Sequence, residues 1–490
     1  YSNSNRDFSN SIMSKIEVNK IGPQCGTTLT VGCGAGQTVA VDANTVTIGR
    51  CGGTVALASG ASQTGFGRTG TVDWQTGDIK TATFTAVSGQ GFFCDTNGGA
   101  FEVDLPAGSA GAIVSIQDYR NTFDTHGLTI DPNGTQKING GSAGAPITLS
   151  TEGLGITLVY IDSTIGWRSV QSNEYATAGE NPTFISASGG TESIVCTNFK
   201  VHTFTGPGTF TVSAVGNALG SNTVDYLVVA GGAGGGAEEG GGGGAGGYRE
   251  SSGAASGAYS ASPLGACVSA LPVSAQGYTV TVGGGGNGQT ANNVPATNGN
   301  NSIFSTITSA GGGRGGGQNA PLVGQPGGSG GGGHGDGGGN PQAGGTGNVP
   351  SVSPEQGKDG GTGAGRSGTT NEAGGGGGGA TAVGANGSTS PNPGGTGGDG
   401  GAGATSSINA TPTARAGGGG GAATTPAGVA GSGGTGGGGI GTKSNPSTAG
   451  AGTANTGGGG GGAGGNGGAG SASTGGGGGS GIVIIRYKFQ

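Results

Sequence analysis

The sequence predicts an all-β N-terminal half followed by a bundle of polyglycine II helices, with essentially no α-helix. Short apolar segments alternate with period two between turn residues, as half-buried strands do. No stretch carries the 3.6-residue apolar period of an amphipathic helix. Glycine contributes 130 of 490 residues and is concentrated in runs after residue 231. Charged residues make up only 9% of the chain, which is unusual for a globular enzyme.

Residues 21–70 are predicted to form a stem of short strands. The segments 29–31, 39–41, 46–48 and 55–57 recur at about ten-residue spacing, with Gly, Asn and Asp between them. Each strand is too short to bury a face alone. Three chains wound together would close such a core, so we expect a homotrimer.

Residues 71–172 are predicted to form a β-sandwich. Turn signals such as Asp131-Pro132-Asn133-Gly134 separate the candidate strands. The candidate strands are 81–87, 101–105, 112–119, 147–149, 156–162 and 167–170. Candidate core residues are Trp74, Phe84, Phe101, Tyr119, Leu158, Tyr160 and Trp167.

A polar, proline-containing segment at 173–182 is predicted to be a linker, and a second β unit follows at 183–230. Its candidate strands are 183–187, 200–204, 209–213 and 223–230, with further candidates at 278–282 and 302–307. The apolar strands 223–230 and 482–489 flank the glycine-rich segment. Each would expose apolar surface alone, so we predict that they lie side by side in one sheet and close the domain.

The segment 231–490 alternates glycine runs with Ser/Thr/Asn/Pro spacers. A flexible linker is one interpretation, and disorder over much of 310–480 remains an alternative. Three features favour an ordered bundle: serine is segregated into the spacers, the runs recur, and the chain ends in a strand. Polyglycine II is an extended threefold helix without internal hydrogen bonds, so its backbone groups must pair with neighbouring helices. No aromatic residue occurs between Phe304 and Tyr487, so a core of large side chains is excluded there.

Composition excludes several function classes. The net charge of −7 and the lack of a basic patch argue against a nucleic-acid partner. No apolar stretch reaches the length of a membrane span, so we expect no membrane insertion. The six cysteines form no CxxC pair, which argues against a zinc site and favours reduced structural thiols.

The sequence patterns that resemble cofactor or metal motifs lack the flanking residues that those motifs need. Gly232-x-Gly234-x-x-Ala237 has dinucleotide-fingerprint spacing, but Glu238-Glu239 and more glycine follow where that motif needs a helix. His202 alternates with strand residues and is interpreted as structural, whereas His334 and Asp336 could pair or bind an ion. We therefore expect no enzyme activity, no cofactor and no metal.

The segments that flank the glycine runs carry a family resemblance. Residues 200–212 (KVHTFTGPGTFTV), 224–232 (VDYLVVAGG), 241–248 (GGGGAGGY) and 479–487 (GSGIVIIRY) resemble the glycine-rich domain of tailed-phage tail fibres. Residues 14–32 and 92–170 also resemble virion structural proteins of marine, cyanophage-like phages. The resemblance implies an N-terminal attachment segment at 1–20, a β-rich shaft and a distal glycine-rich adhesin domain. It implies a virion location, an extracellular fibre assembled in the host cytoplasm.

In such adhesins the loops between packed polyglycine II helices meet the host surface. The partners implied are a host cell-surface glycan or outer-membrane protein, other tail or baseplate proteins, and further copies of the chain. The equivalent spacers are 318–326, 348–359, 366–373, 380–393, 404–416, 422–432 and 440–456. The candidate surface-binding residues in them are Asn319, Glu372, Asn386, Asn392, Asn409, Arg415, Lys443 and Asn445.

Three alternatives remain open. A subunit of a non-phage extracellular filament could use the same β-plus-glycine design. A polysaccharide-degrading tailspike would need paired carboxylates beside a sugar groove with aromatic platforms, whereas the acidic residues of the glycine-rich half are scattered. An ice-binding protein would have little need for the long β region before residue 231.

Overall fold

The structure is a computed structural model. It describes residues 72–170, 179, 182–217, 220–257, 259–290, 294–318, 320–366, 371–391, 393–443, 446–465 and 473–490. The predicted attachment segment and stem, and most of the predicted linker, lie outside the described residues. Within the described ranges the fold is all-β, as predicted. These ranges also contain one 3₁₀ turn, at Pro263–Gly265. These ranges contain no helix with the length and apolarity that crossing a bilayer requires.

Residues 72–170 form two sheets around one core. The first sheet has the strand order β1 (Asp73–Trp74), β3 (Gln90–Cys94), β5 (Ile113–Asp118), β8 (Gly155–Tyr160) and β9 (Trp167–Ser169). The second has the order β2 (Phe84–Thr85), β4 (Glu102–Asp104), β6 (Leu128–Asp131) and β7 (Ile147–Leu149).

The chain winds between these two sheets. β1, β3 and β5 pair in parallel in the first sheet, and β2, β4 and β6 pair in parallel in the second. Each turn of the chain therefore adds one strand to each layer, as in a β-solenoid, and antiparallel strands complete both sheets. The predicted two-layer β architecture is present, with a coiled connectivity in place of antiparallel hairpins.

The core of this unit differs from the predicted one at two residues. Phe92, Val103, Phe123, Leu158 and Trp167 are all buried in it. Trp74 and Tyr119 were expected there, but 39% and 48% of their surface is exposed. Trp74 lies on the edge strand β1, where only one neighbouring strand covers it, and it packs on Phe93 with ring centroids 5.0 Å apart.

A second pair of sheets lies at the foot of the glycine-rich segment. One has the order β10 (Ser186–Ser188), β13 (Gly208–Ala214), β17 (Gly277–Thr281), β18 (Ser302–Phe304) and β19 (Ile307–Ser309). The other has the order β11 (Thr191–Val195), β12 (Phe199–Phe204), β22 (Ile482–Lys488), β14 (Thr223–Val229) and β15 (Tyr248–Glu250), and β16 (Leu271–Pro272) also pairs with β14. A hairpin of β20 (Ala404–Ser406) and β21 (Thr413–Arg415) forms a separate two-stranded sheet.

The strands that flank the glycine-rich segment are adjacent, as predicted. β14 pairs antiparallel with β22, so that Leu227 faces Ile484 and Val229 faces Ile482. β22 also pairs with β12 on its other side. The C-terminal strand is thus central in its sheet, and Val483, Ile484 and Ile485 are fully buried.

The glycine runs form polyglycine II helices whose threefold period is visible in their hydrogen bonds. In the run 231–237, the N–H groups of Gly231 and Gly234 donate to Asn300 and Thr297. The N–H groups of Gly232 and Gly235 donate to the carbonyl oxygens of residues 479 and 476. The N–H groups of residues 233 and 236 donate to the carbonyl oxygens of residues 244 and 241. Every third residue therefore donates its N–H group to the same neighbouring segment, as a helix with three residues per turn requires.

The run 240–247 is surrounded by six neighbouring runs. It donates to the runs at 310–316, 375–378 and 457–460, and it accepts from those at 233–236, 329–332 and 419–422. Only glycine fits at such positions, because a Cβ on Gly242 would lie under 3.0 Å from the carbonyl oxygen of Gly419. The described parts of 310–480 are ordered in this bundle, and backbone pairing replaces a side-chain core.

The bundle has two different ends. β14 leads directly into the run 231–237, and the run 473–481 leads directly into β22. β15, β17, β18 and β19 also join glycine runs at this end, which we call the base. The opposite end, which we call the tip, carries described turn and loop residues at 238–239, 318, 320–321, 335–341, 365–366, 371–372, 388–391, 393–395, 424–429 and 446–448.

Candidate functional site

The tip loops are joined to one another through the backbone. Gly335 N–H donates to Glu239 O, and Arg366 N–H donates to Asp336 O. Isolated bridges connect Ala373 with Ala423, and Ala423 with Lys443. The loops therefore form one continuous surface held by rigid runs. Loops on a rigid framework are where binding residues are usually found.

The predicted spacers divide between the two ends. The described residues of the spacers 366–373 and 422–432 lie at the tip, and those of the spacer 318–326 begin there. Those at 348–359 and 404–416 lie at the base, where Gln356 O accepts from Tyr248 N–H at 2.8 Å. The spacers 380–393 and 440–456 each reach both ends. A host surface that met the tip would not meet the base spacers.

Two candidate residues are displayed near the tip. Lys443 is exposed, and its Nζ donates to Gly428 O at 3.3 Å. Asn386 is exposed, and its Oδ1 accepts from Thr362 N–H at 2.8 Å. Asn319, Asn392 and Asn445 lie outside the described residues.

The expectation that Glu372 and Arg415 are displayed does not hold. Glu372 is buried because its carboxylate pairs with Arg366 Nε at 2.9 Å and its carbonyl oxygen accepts from the Thr424 hydroxyl. Arg415 ends β21 at the base and is buried. Burial lowers the pKa of its guanidinium, and the nearby Tyr248 and Glu250 oppose that shift. Asn409 also lies at the base and is half-buried.

A groove of about 480 Å³ opens on the flank of the bundle near the tip. Its walls carry four threonines, Thr290, Thr297, Thr448 and Thr474, together with the exposed Val294. No charged side chain lines it among the described residues. Hydroxyl groups beside a small apolar surface suit a neutral ligand that is itself rich in hydroxyls.

A buried polar cluster lies beneath the tip surface. Glu238 and Glu239 form the turn between the first two glycine runs, and both are buried. His334 Nε2 donates to Glu238 O at 2.6 Å and lies 3.8 Å from Glu239 Oε2. Burial lowers the pKa of His334 to about 4. The predicted pairing of His334 with Asp336 is not a direct contact, because the imidazole turns to the Glu238–Glu239 turn instead.

Sequence reasoning treated Glu238 and Glu239 only as a break in a dinucleotide motif. The residues that gather around them come from runs far apart in the chain, so no local spacing reveals the cluster. A signal was nonetheless present, because two adjacent acidic residues interrupt glycine in a segment with few charges.

Two other groups of side chains carry potential ligand atoms. Glu102, Asp104 and Asp131 place carboxylate oxygens within 4.8 Å of one another across the parallel pair β4 and β6 and could hold a cation. No further feature among the described residues points to a ligand there, so we assign none. His202 is fully buried between Gly189 O at 2.7 Å and the Tyr487 hydroxyl at 3.0 Å, consistent with a structural role.

Comparison with known proteins identifies one family. A family model described as a glycine-rich domain matches residues 203–488. The match begins inside β12 and ends at the last residue of β22, so it covers most of the base sheets and the whole bundle. No curated protein matches the chain.

Proposed function

This chain belongs to the glycine-rich domain family, and from that membership and the geometry of its tip we propose that it is a phage tail fibre or adhesin. In this role it is a virion structural protein that presents loops for attachment to a host cell surface. The observation that carries the proposal is the two-ended bundle. The base is occupied by sheets, whereas the exposed side chains of the tip loops are free of core packing.

The physical design suits adhesion. Backbone hydrogen bonds hold the runs, so the exposed loop side chains have no part in the core and are free to vary. Their hydroxyl and amide groups make weak hydrogen bonds to glycans or to surface proteins. The uncharged groove near the tip favours a host cell-surface glycan as the partner, with an outer-membrane protein as the alternative.

Weak contacts of this kind require multivalent display. We propose that the chain is a homotrimer joined to other tail or baseplate proteins, because linked copies raise an overall affinity without new contacts. The site is proposed to bind and not to catalyse. Light scattering of the full chain is expected to give three times the 45.4 kDa chain mass. A monomer at micromolar concentration would contradict the trimer while leaving the tip proposal standing.

The test of the function is an exchange of loops. The tip loops at 388–395 and 424–429 are replaced by those of a related fibre with a different host range, and all glycine runs are kept. Adsorption of phage carrying the chimaera is then measured on both hosts. We expect the host preference to follow the tip loops.

A matched exchange at the base serves as the control. Residues 410–412 lie at the base and are exposed, so their replacement should fold equally well and leave adsorption unchanged. If the tip chimaera folds and keeps the original host preference, the tip is not the recognition surface. The β unit at 72–170 would then be the next candidate.

A further inference from the structure

The turn that joins the first two glycine runs is made of residues poorly suited to its conformation. Glu238 and Glu239 have φ angles of 53° and 60°, in the left-handed region that glycine adopts without strain. Glycine accounts for 130 of 490 residues and occupies most of both neighbouring runs. Two adjacent glutamates in this conformation are an outlier of the kind that accumulates at functional positions.

Both glutamate side chains have little surface exposed to solvent. Glu238 is 1% exposed and Glu239 is 5% exposed. Within the described residues neither carboxyl oxygen of Glu238 has a hydrogen-bond partner, and His334 Nδ1 has none either. An isolated carboxylate is costly to bury, so the two buried glutamates favour the neutral, protonated form of the carboxyl group.

The charged groups around Glu239 are mostly negative. Glu238 and Glu372 add negative charge beside it. Arg366 is the nearby cation, but it is committed to Glu372 at 2.9 Å. His334 is the closest other group, at 3.8 Å, and its Nε2 proton is donated to the carbonyl oxygen of Glu238.

Asp336 is a further charged group close to His334. Its carboxylate favours the protonated form of His334, but burial of the imidazole outweighs it. The imidazole is therefore neutral at physiological pH and offers Glu239 no positive charge. An ionised Glu239 would be a buried anion beside two other carboxyl groups.

We propose that the Glu238–Glu239 turn is a proton-dependent latch, closed while Glu239 carries its proton and opened when that proton is lost. The latch connects the run 231–237 with the central run 240–247, and Gly335 N–H binds the carbonyl oxygen of Glu239. Opening would expel the Glu239 side chain to water and release the tip segment near 335. The geometry of the turn supports this inference independently of the adhesin proposal.

The direction of the pH dependence follows from the buried environment. Burial, with the Glu372 and Glu238 carboxylates, raises the pKa of Glu239 from 4.5 to about 8. The contribution of Glu239 to the stability of the closed turn is therefore fully present below about pH 4.5, falls as the pH rises, and is lost above about pH 8. His334 acts in the opposite direction, because its lowered pKa destabilises the closed turn in acid.

Hydrogen exchange of the full chain between pH 5 and 9 tests the latch. Rates are corrected for intrinsic exchange and followed in peptides covering 236–241 and 332–337. Because Glu239→Gln keeps the neutral shape and leaves His334 unchanged, the comparison with wild type isolates Glu239. We expect the opening equilibrium of wild type to rise on the order of several hundredfold more than that of Glu239→Gln over this range.

Two further variants sharpen the comparison. Glu355→Gln removes a half-exposed glutamate at the base and should retain the wild-type pH dependence. Glu239→Gly relieves the left-handed conformation and should also abolish the pH dependence, which preserves the test if the glutamine variant folds poorly. The latch is disproved if wild type and both Glu239 variants open with the same pH dependence.

Discussion

Asp225 and Arg486 lie directly opposite one another in the β14–β22 pair, both fully buried, and yet they do not form an ion pair. Asp225 instead accepts from the Ser251 hydroxyl at 2.7 Å and from the backbone and hydroxyl of Ser256. The two charges are stabilised separately: the loop at 251–257 supplies partners to both, and the loop that contains Ile408 supplies a second partner to Arg486. The pair thus ties both loops to the central strands of the sheet.

The Arg486 side chain is predicted to anchor the base. Its guanidinium donates to Ile408 O at 3.1 Å and to Gly257 O at 3.2 Å, and it lies over the rings of Phe199 and Tyr259. Arg486→Met would leave two buried carbonyl groups without partners. We expect the free energy of unfolding to fall by about 3 kcal/mol, measured by urea denaturation.

Arg120→Met provides the control for that measurement. Arg120 pairs with Asp95 at 2.7 Å, but its side chain is 58% exposed, so its loss should cost about 1 kcal/mol or less. Equal losses for the two variants would mean that the buried guanidinium does not anchor the base loops.

Close approach of the glycine runs predicts a sharp contrast between two glycines. Gly242→Ala places a methyl group against the backbone of the neighbouring run and should lower the free energy of unfolding by about 3 kcal/mol or more. Gly477→Ala has no heavy atom nearer than 3.5 Å to the added carbon and should be close to neutral. Thermal unfolding of the two variants measures the difference. Similar melting temperatures would refute backbone packing as the core.

The central position of the last strand predicts a large effect of one core residue. Ile484 is fully buried opposite Leu227. Ile484→Ala should lower the free energy of unfolding by about 2 to 5 kcal/mol. Ile194→Ala, at a site that is 62% exposed on the edge strand β11, should change it by about 0.5 kcal/mol or less. An Ile484 effect as small as the Ile194 effect would show that the strand does not close the domain.

The described cysteines are predicted to differ in reactivity. Burial raises the pKa of the Cys94 thiol to about 12, whereas Cys196 and Cys267 are exposed. Iodoacetamide at pH 8 should label Cys196 and Cys267 in the native chain, and Cys94 only after denaturation, because the thiolate is the reactive form. Peptide mass spectrometry of labelled samples measures each site. If iodoacetamide labelled Cys94 in the native chain as fast as Cys267, the Cys94 thiol would not be buried.

The groove offers a test of glycan binding. Gly477 lines it, and a Cβ there would have its nearest heavy atom at 3.5 Å, so Gly477→Val partly fills the groove without a backbone clash at Cβ. We expect the affinity for host polysaccharide to fall at least tenfold, measured by calorimetry. Gly284→Val is the matched control, because its added carbon has its nearest neighbour at 3.6 Å and Gly284 does not line the groove. Unchanged affinity in a folded Gly477→Val variant would exclude the groove as the glycan site.

Much of the fold was predictable because it depends on local patterns. The apolar strands at either side of the glycine-rich segment indicated their own pairing, and the absence of aromatics required a backbone core. The parallel winding of 72–170 was not predictable in the same way. β3 and β6 were missed, since Gln90–Cys94 contains a glycine and Leu128–Asp131 runs into a turn signal at Pro132.

The candidate site was less predictable than the fold. Sequence identified the spacers but could not assign them to an end of the bundle, because the direction of each run depends on how many runs precede it. Glu372 and Arg415 looked like surface charges and are buried by partners from other segments, Arg366 for one and the base strands for the other. Long-range packing of this kind leaves no trace in local spacing.

The position of β14 beside β22 restricts how such a domain can change its size during evolution. A chain that leaves the base along one strand and must return to it along another can cross the bundle only an even number of times. Insertions and deletions should therefore add or remove glycine runs in pairs, each pair with one new tip loop. Relatives of this chain would then differ in the breadth of the tip by whole hairpins, while the base stays the same.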